Sequence, residues 1–79
     1  MAILRLFAAA REAAGTGSDR IDGGTVGEVL AAARDRYGDT FAGALATSRV
    51  WLNGQPAAPE DTVLVDDEVA VLPPVSGGS

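Results

Sequence analysis

Seventy-nine residues with a net charge of −5 make one small domain, and a chain of this size buries only ~60% of its unfolded surface, so its core is modest. It has no cysteine and no histidine, which removes disulfides, thiolate metal sites, the usual neutral-pH general base and the commonest metal ligand. All six basic residues are arginines without a basic cluster, which argues against nucleic acid, and no apolar run reaches the length of a membrane span.

The carboxylates are scattered or flank turns, so no catalytic dyad stands out and the chain reads as a domain without an active site of its own. Its acidic balance suits a partner with a basic face, and also aids solubility. The absence of lysine leaves the N-terminus as the sole amine acceptor, a feature that codon bias in an Ala-, Gly- and Arg-rich chain explains equally well. The start lacks the pattern of a signal peptide, so a cytoplasmic location is the expectation.

In chain order, residues 2–8 read as a strand, with Leu4, Leu6 and Ala8 on one side and Ile3, Arg5 and Phe7 on the other. Residues 9–14 suit a short helical turn, which Gly15, Thr16 and Gly17 break. Residues 18–22 form a possible second strand in a hairpin with the first. The clearest element is a helix that Thr25 caps, with Glu28 three residues later in a capping-box pattern. Val26, Val29, Leu30, Ala33 and Tyr37 form its apolar stripe, and Gly38 ends it. Glu28, Arg34, Asp35 and Arg36 fall largely outside that stripe and read as a solvated face.

Phe41 and Leu45 are expected to plug the core from a short irregular helix. Residues 49–52 read as a strand, Asn53-Gly54 as a turn, and Pro56 and Pro59 as brackets of a loop. Residues 63–65 suit a brief edge strand. Asp66 and Asp67 turn the chain into a last strand, 68–72, with Val69 and Val71 on one side and Ala70 and Leu72 on the other.

This order predicts an α+β domain, a mixed sheet of four to five strands with one main helix packed on one face. The first and last strands then pair in parallel at its centre. Phe7 and Leu72 fall on the face away from the helix, in line with Val75, and such a patch on a small domain often marks a partner site. Isolated surface apolars are the plain alternative.

The chain ends Pro73, Pro74, Val75, Ser76, Gly77, Gly78, Ser79. The prolines stiffen the exit, and two glycines leave a thin backbone that can lie against another protein. From residue 73 to residue 78 an extended chain reaches roughly 20 Å, enough to thread a channel. A frayed Gly/Ser end is the plain reading of the same residues. The division expected is a folded domain over 1–74 and a flexible Gly-Gly tail over 75–79.

These residues carry a resemblance. Ile3-x-x-x-Phe7-Ala8-x-x-Arg11-Glu12-x-x-Gly15 resembles the first strand and turn of MoaD-like proteins. The stretch from Asp67 through Leu72 to Pro73-Pro74-Val75-Ser76-Gly77-Gly78 resembles their last strand and tail, and Thr25-Val26, Leu30 and Val50-x-x-Asn53-Gly54 fit between. The chain is thus similar throughout to the MoaD/ThiS group of ubiquitin-like sulfur carriers, most of all the small subunit of molybdopterin synthase. The resemblance implies a β-grasp fold. It implies that an E1-like adenylating enzyme, using ATP and Mg, activates Gly78, and that the resulting thiocarboxylate gives sulfur to a pterin precursor. No cofactor would be bound by the chain itself.

The resemblance makes Gly78 the reacting residue, Gly77 and Ser76 the channel segment, and Phe7, Leu72, Pro73, Pro74 and Val75 the contact with the synthase large subunit. The chain departs from the family twice. Val65-Asp66-Asp67-Glu68 stands where the family commonly has Asp-Gly-Asp/Glu, a change that aspartate's tolerance of positive φ allows. Ser79 locks the Gly78 carboxyl in a peptide bond, so a protease trims it, or it is an artefact, or the chain does not carry sulfur. Other sulfur acceptors (cysteine, tRNA or thiamine thiazole), conjugation to target lysines, and a plain interaction domain remain as rival readings.

Overall fold

The computed structural model describes residues 1–74; the expected tail, with Val75, Ser76, Gly77, Gly78 and Ser79, lies outside the described residues. The elements are β1 (Ala2–Leu6), α1 (Ala8–Ala14), β2 (Ser18–Ile21), α2 (Val26–Tyr37), α3 (Asp39–Ala46), β3 (Arg49–Leu52), β4 (Gln55–Pro56) and β5 (Glu68–Leu72). They build a five-stranded sheet in the order β2-β1-β5-β3-β4. β1 and β5 are parallel at the centre, as expected, and the remaining pairs are antiparallel. This is the β-grasp, ubiquitin-like arrangement.

Strand alternation sets the core. Leu4 and Leu6 of β1, and Val69 and Val71 of β5, are fully buried on the helix-covered side. α2 begins as its capping pattern dictates: Thr25 Oγ1 accepts from the Glu28 N–H at 3.2 Å, and Glu28 Oε1 accepts from the Gly24 N–H at 2.7 Å. Val26, Val29, Leu30 and Ala33 lay its apolar stripe on the sheet. Gly38, at φ 90°, ends α2 and starts the next helix directly.

Three expectations need correction. The first strand ends at Leu6, and Ala8, expected on its core side, is exposed at the start of α1; α2 is the main helix as expected, and α1 and α3 add Ala10, Phe41 and Leu45 to the same core. α3 is a regular eight-residue helix, anchored by Phe41 against Tyr37 with ring centroids 5.2 Å apart. Residues 63–65 are not a strand. The Val63 N–H donates to the Gly24 carbonyl at 3.0 Å, and the Asp67 carboxylate takes the Leu64 N–H at 2.8 Å, so no ladder forms. Val63 is buried, whereas Leu64 and Val65 are 66% and 74% exposed. The turn before the last strand forms without a glycine, and the residue that takes positive φ is Asp66, at 66°, whose N–H donates to the Met1 carbonyl at 3.1 Å.

Candidate functional site

The register of the ladders defines the uncovered face of the sheet. Residues directly opposite share a face, and alternate residues along a strand return to it. Arg20, Ile3 and Glu68 thus make one row across the sheet. Ser18, Arg5, Ala70, Trp51 and Pro56 make the next. The third is Phe7, Leu72 and Arg49: Leu72 is opposite Arg49, and the β1–β5 register, continued one residue, sets Phe7 opposite Leu72.

Phe7 holds its place through the backbone. Its N–H donates to the Val71 carbonyl at 3.1 Å, so it extends β1 before the chain turns into α1. Ala8 makes that turn at φ 51°, a left-handed conformation unusual for alanine. Phe7 is 38% exposed, and the Arg5 guanidinium lies 6.0 Å from its ring centroid. Leu72 is half-buried, and Pro73 and Pro74, immediately after it, are exposed. The structure thus brings Phe7, Leu72, Pro73 and Pro74 to one end of the open face. Val75, Ser76, Gly77 and Gly78 fall outside the described residues.

Sequence reasoning missed Trp51 and Arg49, which share this face. Their strand was legible, but the side each residue takes depends on the register with β5, sixteen or more residues distant, which carries no local signal. The electrostatics of the face add to this. Three of the six arginines (Arg5, Arg20 and Arg49) occupy its strand positions, against Glu68 as its strand carboxylate. Arg5 pairs with Glu68 at 3.2 Å and Arg20 with Asp66 at 3.8 Å. Arg49 has no carboxylate partner among the described residues. The uncovered face thus sets three arginines, two of them paired with carboxylates, beside Phe7 and Leu72.

The described residues form no pocket and gather no group of three or more metal-ligating side chains. No helix among them is long and apolar enough to cross a membrane. The perturbed titrations lie elsewhere, where β2 meets the end of α2. Hydrogen bonds from the Tyr37 hydroxyl and then from Arg36, whose Nη1 is 2.7 Å from Asp19 Oδ2, hold the Asp19 carboxyl below its ordinary range. Burial, and then the bond to Asp19, push the Tyr37 phenol up to about 12.

A β-grasp sheet with helices on one face and a mixed apolar and arginine surface on the other, leading into its C-terminal strand, defines a ubiquitin-like protein. The profile of the ThiS family matches residues 4–78, and the chain belongs to this family of ubiquitin-like sulfur carriers. SAMP1 from Haloferax volcanii is 32% identical, with 98% of each chain covered and a TM-score of 0.83. CysO in the BexX/CysO complex of Amycolatopsis orientalis has the same fold at 21% identity, covering 99% of this chain and 100% of that one, with a TM-score of 0.81. So does the putative molybdopterin converting factor, subunit 1, from Pyrococcus furiosus, at 21% identity, 94% and 97% coverage and a TM-score of 0.80. Curated proteins yielded no match.

Proposed function

We propose that this chain donates sulfur in molybdenum cofactor biosynthesis as the non-catalytic small subunit of a molybdopterin synthase. The observation that carries the reading is the row Phe7, Leu72 and Arg49 at the end of β5, directly ahead of Pro73, Pro74 and the residues leading to Gly78. A partner seated on that row receives whatever follows it in the chain. The names of two relatives, a molybdopterin converting factor subunit and a CysO in complex with BexX, support a role alongside a partner protein.

A glycine carboxylate is a poor electrophile, so the chemistry needs activation. An E1-like adenylating partner would supply ATP and Mg. The Gly78 carboxylate oxygen attacks the α-phosphorus, pyrophosphate leaves, and hydrosulfide then attacks the acyl carbon, displacing AMP and releasing its proton to give the thiocarboxylate. The synthase large subunit would hold the pterin precursor and the catalytic side chains, in the cytoplasm where ATP is at hand. On this reading Gly77 and Ser76 would enter the partner's channel, Gly77 adding no side chain there, and Val75 would join Phe7 and Leu72 in the partner contact. The reacting form is the chain that ends at Gly78, because a peptide carbonyl cannot be adenylated in this way.

A second reading is favoured by the 32% identity to SAMP1, named a small archaeal modifier protein. Its reacting glycine would be activated alike but joined to lysine amines. The test incubates chains ending at Gly78 and at Ser79 with ATP, Mg, an activating enzyme and a sulfur donor, followed by intact mass. The shorter chain should gain sulfur in place of oxygen, and the longer should not. It should then yield a dithiolene product with the large subunit and precursor. No thiocarboxylate on the shorter chain would refute the carrier reading, and lysine-linked adducts in its native cell extract would favour the modifier.

A further inference from the structure

Sheets with free edges invite another strand. The two edges of this sheet are β2 and β4, and both are short of free backbone groups. At β4, the Ala57 N–H donates to the Val50 carbonyl at 3.0 Å, so Ala57 and Gln55 aim their backbone groups at β3 and Pro56 aims outward. Proline has no N–H to offer there.

β2 is closed by a different device. The Leu6 N–H donates to the Gly17 carbonyl at 2.9 Å, so by alternation Gly17, Asp19 and Ile21 address β1, and Ser18 and Arg20 address solvent. All four outward backbone groups are nonetheless engaged, each by a side chain. Thr16 Oγ1 accepts from the Ser18 N–H at 3.3 Å and donates to the Ser18 carbonyl at 2.9 Å. Asp19 Oδ1 accepts from the Arg20 N–H at 2.8 Å, and Arg36 Nη1 donates to the Arg20 carbonyl at 3.3 Å. The Arg36 guanidinium and the Tyr37 hydroxyl both reach Asp19 Oδ2, which fixes carboxylate and guanidinium together over the strand.

We infer that Thr16, Asp19 and Arg36 form a side-chain seal on the β2 edge that keeps a second copy of this chain from adding its own β2 and fusing two sheets. The pairing it prevents is geometrically available. In an antiparallel β2–β2 contact, the register in which Ser18 and Arg20 exchange hydrogen bonds sets Asp19 opposite its own copy. A shift by one residue on each strand sets Arg20 opposite its copy. Like charges directly opposite are unfavourable, so both central registers are opposed a second time by charge. The seal is independent of any sulfur chemistry.

The test compares the wild-type full chain with the triple variant Thr16→Val, Asp19→Val, Arg36→Ala. Sedimentation over a concentration series should find the wild type monomeric and the folded variant doubling in mass. Amide exchange by NMR on the variant should slow at Ser18 and Arg20 as the dimer forms. A folded variant that stays monomeric at every concentration would overturn the inference, as would a wild type that dimerises through β2. Should the variant not fold, exchange in the wild type decides. Its Ser18 and Arg20 amides should exchange about tenfold or more slowly than in an unstructured peptide, and unprotected rates at both would mean that there is no seal.

Discussion

Truncating Phe7 to alanine tests the partner face directly. Phe7 is 38% exposed, and a phenylalanine side chain presents roughly 200 Å², so about 75 Å² of ring remains for a partner to cover. At ~25 cal/mol per Å² this is worth about 2 kcal/mol, or about thirtyfold in Kd. The Arg5 guanidinium, 6.0 Å from the ring centroid in an exposed setting, adds only ~0.5 kcal/mol. The backbone bond from Phe7 to Val71 survives the change, so the sheet should stay intact. Titration calorimetry against the large subunit, with circular dichroism to confirm folding, reads the effect. Leu64→Ala is the control, because Leu64 is 66% exposed at the opposite end of β5. Unchanged affinity in folded Phe7→Ala would remove Phe7 from the interface. Equal losses at Phe7 and Leu64 would reduce the effect to general stickiness and refute the reasoning.

Gly78→Ala, in a chain ending at residue 78, places a methyl beside the reacting carbon; sulfur transfer should fall by about a hundredfold or more, with the melting temperature unchanged because chain ends add little to stability. Gly23→Ala should cost ~1–3 kcal/mol in thermal or urea unfolding, since a Cβ there would meet Val29 Cγ2 at 2.7 Å and the Val29 backbone nitrogen at 2.8 Å. Ala8→Gly should leave the melting temperature unchanged or raise it, whereas Ala8→Val should lower it, because φ is 51° at that position. The Asp19–Tyr37 pair should shape stability at both ends of the pH scale. Asp19 contributes fully above its unfolded value of 3.8 and less as pH falls through its lowered folded value; Tyr37 contributes fully below 10.0 and less as pH rises toward about 12. Tyr37→Phe should flatten the alkaline limb of melts recorded against pH, and an unaltered limb would contradict this.

Local signals made much of the fold legible. Thr25 and Glu28 announced the start of α2, Gly38 its end, and Asn53-Gly54 the β3–β4 turn, because caps and tight turns are decided by residues within a few positions. The alternation of Leu4 and Leu6 with Ile3 and Arg5 placed β1 correctly on both faces. Residues 63–65 misled because three apolar β-formers in a row satisfy strand propensity, while the hydrogen bonds that claim them come from Gly24 and Asp67. α3 was under-read because its stripe, Phe41 and Leu45, supplies only two buried positions. The candidate site was half legible: Phe7 and Leu72 followed from alternation, but Trp51, Arg49 and Arg20 joined them only through pairing between distant strands.

The link from this fold to its use is the parallel pairing of β1 and β5. Residue 7 and residue 72 meet at one end of the sheet because both strands run the same way. Had β5 paired antiparallel with β1, Phe7 would sit at the far end from the chain that follows Leu72. The parallel arrangement requires a long crossover, and residues 7–67 provide it, burying Ala10, Val29, Leu30, Phe41 and Leu45 against the sheet on the way. The crossover thereby covers one face and leaves the other bare. With Pro56 at one edge and the Thr16, Asp19 and Arg36 seal at the other, strand addition is discouraged on both sides. Under the proposed function, a partner's binding energy would then be directed to the open face, at the row nearest Pro73 and Pro74, where docking would also present the terminus.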